Sequence, residues 1–323
     1  FGAALQYFTG SKEHNVRLRE LAVKRKWRLN EYGLFAGRRR LAGADEEGIY
    51  RKLGLPCFPP ELRENHGEFE GDVPLDDLVT LNDIRGDLHV HTTASDGRNT
   101  IEEMAEAAKA RGYRYLAVCD HSRSATIANG LSIERMKKHV RDIRAADEKI
   151  RGITILVGCE CDILPDGSLD YPDSILKECD WVVASIHSAM GTGKGKKRTP
   201  TERTLAAMEN RYVCAIGHPT GRLLGRRAAM ELDIGRIAEA AATTGTFLEV
   251  NASWPRLDLK DLHIRQALDA GAVLTINTDA HDTGQLDQMR FGIITARRGG
   301  ATRRAVVNCW TLATLRKRIA AKR

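Results

Sequence analysis

From Ile84 onward, short apolar runs alternate with longer stretches in which apolar positions recur at the helical period. The runs cover 84–91, 115–121, 154–162, 181–187, 213–218, 246–251 and 273–281, and each predicts a strand. Helices are predicted between them over 101–111, 132–149, 199–210, 233–244 and 259–270. Thr100-Ile101-Glu102-Glu103 fits a capping box, and Thr199-Pro200-Thr201-Glu202 fits another with Pro at the first helical position. Residues 1–35 pattern as a small α/β piece, with a helix over 15–28 and a strand over 28–35. Residues 36–83 contain Gly and Pro and lack sustained periodicity; a connector with one short helix over 45–53 is expected. Seven strands in βα alternation mean a parallel barrel or an open doubly wound sheet.

Chemistry separates these two. Asp87-Leu88-His89-Val90-His91 places two imidazoles at i and i+2, on one face of a strand. Alone, such a pair is weak evidence. Here Asp96, His121, Glu160, His187, His218, Asp279 and His281 follow, nearly all at the C-terminal ends of predicted strands. Only a closed barrel gathers seven strand ends at one site; an open sheet would spread them at about 4.8 Å per strand. Glu160 sits in an apolar run, where an unpaired carboxylate is costly and a cation is the natural compensation. Asp120, Asp162 and Asp282 are weaker candidates, with Asp120 expected behind the ligands. His14, His66, His139 and His263 lie on helical or loop segments without ligand company and are read as surface residues. Nine N and O donors exceed the needs of one ion, so two or three are expected, with Zn, Mn or Fe favoured over Ca because imidazole dominates.

Composition narrows the setting. The 323 residues carry a net charge of +7, 29% are charged, and mean hydropathy is −0.37. No run approaches the roughly 20 apolar residues of a membrane span. The N-terminus lacks signal-peptide features and does not begin with Met, as expected of a fragment or processed product. Seven cysteines without a CxxC suit a reduced, cytoplasmic protein. The positive charge suits a polyanionic partner. Arg222 and Arg256, just past strand ends, are candidates to clamp a phosphate, and Lys194, Lys196 and Lys197 to hold such a partner.

Residues 84–317 resemble the polymerase-and-histidinol-phosphatase (PHP) domain, through Asp87-Leu88-His89-Val90-His91-Thr92, Asp120-His121-Ser122, Gly158-Cys159-Glu160-Cys161-Asp162, Ser185-Ile186-His187-Ser188, Gly217-His218-Pro219 and Thr278-Asp279-Ala280-His281. Ile163-Leu164-Pro165-Asp166-Gly167 and Arg256-Leu257-Asp258-Leu259 resemble the subgroup attached to bacterial and archaeal family X DNA polymerases. Tyr7-Phe8-Thr9-Gly10-Ser11 and Asn30-Glu31-Tyr32-Gly33-Leu34-Phe35 resemble the end of the polymerase core. The resemblance implies a distorted seven-stranded (βα) TIM-like barrel over 84–323, preceded by a core remnant at 1–35 and a linker at 36–83. It implies three divalent ions, Mn or Zn with Fe as an alternative. One is held by His89, His91, Glu160 and Asp279, a second by Glu160, His187 and His218, and a third by Asp96, His121 and His281. The implied activity is 3′-to-5′ exonucleolytic or 3′-end-processing hydrolysis of DNA in base excision repair, by a metal-activated hydroxide, with His89, His91, Glu160 and Asp279 at the catalytic centre. Polymerisation is not expected, since the palm carboxylates are absent; a polymerase core would come from another segment or chain. The alternatives are a histidinol-phosphate-type phosphatase and a non-catalytic DNA-tethering domain.

Overall fold

The computed structural model describes residues 1–71, 74–191 and 198–323, and the chain divides into two units, Phe1–Leu78 and Val79–Arg323. In the first, α1 (Gly2–Phe8) and α2 (Lys12–Lys24) precede an antiparallel sheet of β1 (Arg28–Asn30), β2 (Gly33–Ala36) and β3 (Arg39–Ala42), followed by α3 (Glu46–Lys52). Ser11 caps α2 by accepting from the His14 N–H at 3.1 Å, so this helix starts three residues before the expected 15. The strand expected over 28–35 is a hairpin, β1 pairing antiparallel with β2. Gly33 makes the turn possible: its φ is +149°, and a Cβ there would stand 2.8 Å from the Ala42 carbonyl oxygen.

Two expectations fail in this unit. The boundary at residue 35 does not hold, because 36–78 is not a bare linker: it supplies β3, α3 and the core residues Ile49, Tyr50 and Phe58, packed with Leu18, Ala22 and Leu34. Ile49, Tyr50 and Leu53 keep the spacing of the expected short helix, but Phe58 stands among Pro56, Pro59 and Pro60, where no period reveals it. His14 is not at the surface. It is fully buried, with Nδ1 2.7 Å from Glu68 Oε1 and Nε2 2.9 Å from the Tyr50 hydroxyl.

In the second unit seven parallel strands run in chain order: β4 (Gly86–Val90), β5 (Tyr115–Val118), β6 (Thr154–Asp162), β7 (Trp181–Ser185), β8 (Ala215–Ile216), β9 (Phe247–Asn251) and β10 (Leu274–Asn277). Between and after them lie α4 (Ile101–Ala110), α5 (Ile133–Lys149), α6 (Asp173–Leu176), α7 (Pro200–Met208), α8 (Ile234–Thr244), α9 (Asp261–Asp269), α10 (Met289–Arg298) and α11 (Leu312–Lys322). The ring nearly closes between β4 and β10. Val90 bridges Ala280, the His91 N–H donates to the Ala280 carbonyl at 2.8 Å, and the Leu88 N–H donates to Asn277 Oδ1 at 3.1 Å. This decides for the barrel over the open sheet, and it pairs backbone groups that an open sheet would leave at its edges.

Alternation along the strands builds the interior in layers. Tyr115, Trp181 and Phe247 fill one end with Leu156, Val307 and Leu315, and the Trp181 and Phe247 rings stack at 5.7 Å. Two residues on, the same face carries Val183 and Glu249; further along come Ser185 and Asn251, then His187. The apolar floor thus gives way to ligand chemistry at the strand C-termini. Alternate residues such as Val118, Val157, Val182 and Val250 pack with Met104, Met136, Ile237 and Ile264 of the surrounding helices. Gly217 keeps the ring narrow, since a Cβ there would meet Ser185 Oγ and Val183 Cγ1. Among the described residues no helix is long and apolar enough to cross a membrane.

Candidate metal centre

All nine residues proposed as ligands converge at the C-terminal mouth of the barrel. Glu160, fully buried near the end of β6, is their hub. Its Oε1 lies 2.8 Å from His218 Nε2 and 3.3 Å from His187 Nε2. Its Oε2 lies 2.9 Å from His121 Nδ1, 3.4 Å from His89 Nε2 and 3.6 Å from His91 Nε2. Asp279 Oδ1 is 3.0 Å from His91 Nε2 and 3.7 Å from His89 Nε2. Asp96 approaches His121 at 3.6 Å and His281 at 3.4 Å. Donor atoms within 4.8 Å of one another form three groups: His91, Asp96, His121 and His281; His89, His91 and Asp279; His121, Glu160 and His187. These overlap the three sets implied by the family resemblance, with His91 and His121 each shared between two groups and His218 reached through Glu160.

The donor set fits divalent cations. His89 Nε2, both His91 nitrogens, His121 Nδ1 and Glu160 Oε2 are buried and make no hydrogen bond, although carboxylate and imidazole atoms stand within ion-pair distance. Such orphaned atoms are costly unless a cation sits between them. The electrostatics agree. Burial, helped by the neighbouring His281 and His121 rings, lowers His91 to a pKa of about 4, so it is a neutral donor. Its ring stacks against both at 4.3 and 4.4 Å. For Glu160, burial is outweighed by His187, His121 and His89, which hold its carboxyl well below the usual range. His218 and Asp279 take up left-handed backbone, φ +26° and +54°, conformations that non-glycine residues rarely adopt outside functional sites.

Behind these side chains lies a shell that orients them. Asp162 accepts from His187 Nδ1 at 2.5 Å, leaving Nε2 toward Glu160. Asp120 turns away from the centre, accepting from Thr92 and Ser95, with its Oδ2 2.8 Å from His139 Nε2. His139 is therefore buried, not the surface residue its helical position suggested. Glu249, which sequence reasoning passed over, accepts from His89 Nδ1 at 2.7 Å and from the His218 N–H at 2.6 Å. The cue was present: it is a lone acid in the apolar run Phe247-Leu248-Glu249-Val250, as Glu160 is in its own.

The arginines divide. Arg256 lines the cavity of about 410 Å³ above the cluster; its Nε is 3.4 Å from Asp279 Oδ2, and its Nη1 is buried without a partner. Arg222 is spent on backbone, donating to the carbonyls of Arg256 and Leu257, so it braces the loop that carries Arg256 instead of facing the cavity. Lys194, Lys196 and Lys197 lie outside the described residues.

Comparison with known proteins agrees with this geometry. The PHP domain family model matches residues 87–253, and the chain belongs to this family of metal-dependent phosphoesterases. A DNA polymerase beta thumb model matches residues 4–64, ahead of the barrel, the arrangement of a family X polymerase with a PHP domain. More particularly, the chain is 43% identical over 315 residues to the Bacillus subtilis (strain 168) protein named DNA polymerase/3′-5′ exonuclease PolX, covering 97% of this chain and 55% of that one. It thus spans about half that relative's length. It is also 28% identical over 230 residues to a protein of Thermoanaerobacter sp. (strain X514) named probable phosphatase, covering 69% of this chain and 89% of that one. The crystal structure of histidinol phosphate phosphatase from Lactococcus lactis, complexed with Zn, L-histidinol and phosphate, aligns over 66% of this chain and 93% of its own at 18% identity and a TM-score of 0.47.

Proposed function

We propose that this chain hydrolyses phosphodiester bonds of DNA with divalent metal ions, acting as a 3′-to-5′ exonuclease or 3′-end-processing enzyme in base excision repair. The observation that carries the reading is the union, in one chain, of a polymerase-thumb match with a ring of converging imidazoles and carboxylates. The name of the Bacillus subtilis relative and the net charge of +7 support it. The ligands are His89, His91, Asp96, His121, Glu160, His187, His218, Asp279 and His281, holding three ions of Mn or Zn, with Fe as an alternative. When bound, such ions activate water near neutral pH and neutralise charge on phosphate oxygens. The chain's own residues do the positioning. Glu249 and Asp162 fix the His89 and His187 rings with their Nε2 atoms inward. Arg256, which lines the cavity beside Asp279, holds a phosphate oxygen.

The test is a side-by-side assay of single-stranded DNA, recessed 3′ ends, abasic DNA and histidinol phosphate. Manganese-loaded protein should release nucleotides from a DNA 3′ end, and chelation should stop it. His91→Ala and Asp279→Ala proteins with native circular dichroism should be inactive. DNA binding without hydrolysis would establish the tethering role instead, and preference for histidinol phosphate would establish the phosphatase.

A further inference from the structure

Two exposed apolar side chains stand on loops at the mouth of the metal centre. Ile127 follows β5 and Trp254 follows β9; in the seven-strand order these two strands lie across the ring from one another. Ile127 lines the cavity beside His121, Glu160 and His187, yet is fully exposed, at 104% relative accessibility. Trp254 is 59% exposed and stands two residues before Arg256, which lines the same cavity.

Neither loop is slack. Around Ile127, the Ala125 N–H donates to the Ser122 carbonyl at 3.1 Å and the Gly130 N–H to the Ala125 carbonyl at 3.0 Å. Asn129 Nδ2 reaches the Ser95 carbonyl at 2.9 Å, and Arg135 Nη1 reaches the Asn129 and Gly130 carbonyls at 3.1 Å each. Ser124 is tied to Asp170 and Asp162. Around Trp254, its own N–H donates to Gln288 Oε1 at 2.8 Å, the Leu257 N–H to the Ser253 carbonyl at 2.9 Å, and the Leu224 N–H to the Pro255 carbonyl at 2.6 Å. A single exposed apolar residue is ordinary. Ile127, in the cavity lining, and Trp254, on the loop that supplies Arg256 to that lining, each stand on a heavily braced backbone, so two exposed apolar side chains sit on loops that wall one cavity.

What enters, on the reading above, is a strand whose scissile phosphate lies at the ligands with a nucleoside on either side. We infer that Ile127 and Trp254 are nucleobase contacts: Trp254 stacks on a base on one side of the scissile phosphate, and Ile127 inserts as a wedge against the base on the other. Aromatic side chains stack on any base and so bring affinity without sequence preference. Branched apolar side chains serve as wedges that unstack a base step. The consequence is a site that recognises a phosphodiester by its flanking bases as well as by its charge.

This inference rests on the DNA reading, and one experiment separates the two. Cleavage of a single-stranded oligonucleotide is compared with cleavage of the same strand carrying tetrahydrofuran abasic residues at its last two 3′ positions. Wild-type, Ile127→Ala and Trp254→Ala full-length proteins are used, all manganese-loaded. Wild type should prefer the base-bearing strand by about tenfold or more in kcat/KM, a free-energy difference of about 1.4 kcal/mol. Each variant should lose most of that preference, and the loss should be in KM. A merely structural defect would lower kcat/KM on both strands together and keep their ratio. A wild-type enzyme indifferent to the bases, or variants that keep the full preference, would overturn the inference while leaving the DNA reading intact. A wild-type enzyme that cleaves neither strand would overturn both.

Discussion

Glu249 offers the sharpest probe of how the centre is built. Its four partners are all donors: His89 Nδ1 and Asn277 Nδ2 on Oε1, the His218 N–H and Asn251 Nδ2 on Oε2. Glu249→Gln changes one atom into an NH₂ group that must face two of them. The His218 N–H is backbone and cannot reverse, so the amide nitrogen turns toward His89. There it can be accommodated if His89 moves its proton from Nδ1 to Nε2, the atom 3.4 Å from Glu160 Oε2 and 3.7 Å from Asp279 Oδ1. A protonated Nε2 cannot ligate. The loss of a positioning carboxylate behind a ligand typically weakens metal binding by about 10–100-fold. An unmatched buried donor costs a further 1–3 kcal/mol of apoprotein stability, roughly. The assay is a metal titration against a chelating dye, with metal content per chain measured in parallel and circular dichroism confirming the fold. A folded Glu249→Gln protein with wild-type affinity and full metal content would refute both the tautomer argument and the ligand role of His89.

Two further predictions concern stability. Arg203, buried on α7, donates to the carbonyls of Ile163, Leu164, Ser188 and Ala189, tying together the loops beyond Asp162 and His187. Arg203→Met should cost about 3 kcal/mol through carbonyls left without donors, read as a lower urea midpoint; a loss below about 1 kcal/mol would show that water replaces the guanidinium. In the first unit, burial raises the Glu68 carboxyl, but hydrogen bonds from His14 and from the Asn65 and His66 N–H groups outweigh it and hold it below its ordinary value. A depressed carboxyl stabilises above its unfolded pKa, and that contribution is lost as pH falls through the folded value. Hydrogen exchange of α2 and α3 amides in the full chain should therefore show Glu68→Gln weakening protection by about 1–2 kcal/mol near neutrality, with the gap closing below about pH 4; a pH-independent gap would contradict the assignment.

Much of the second unit was legible because its strands advertise themselves twice, by β-branched apolar runs and, in six of the seven, by a His or acid at the C-terminal end. The predicted runs for 154–162 and 246–251 differ from β6 and β9 by at most one residue at either end. The first unit was less legible. Its core draws in part on residues outside any period, such as Phe58 among Pro56, Pro59 and Pro60, and its buried His14 follows from a partner, Glu68, 54 residues away.

By itself the sequence determined the donor chemistry and the strand ends that carry it, because residue type and period-2 spacing are local properties. Only the tertiary structure decided what each group faces. It closed the ring between β4 and β10, put Glu160 within reach of five imidazoles, and turned Asp120 away toward His139. It also set Glu249 behind His89 and spent Arg222 on backbone while placing Arg256 in the cavity wall. Those outcomes depend on contacts between residues tens to hundreds of positions apart, which the barrel's curvature creates and no local pattern encodes.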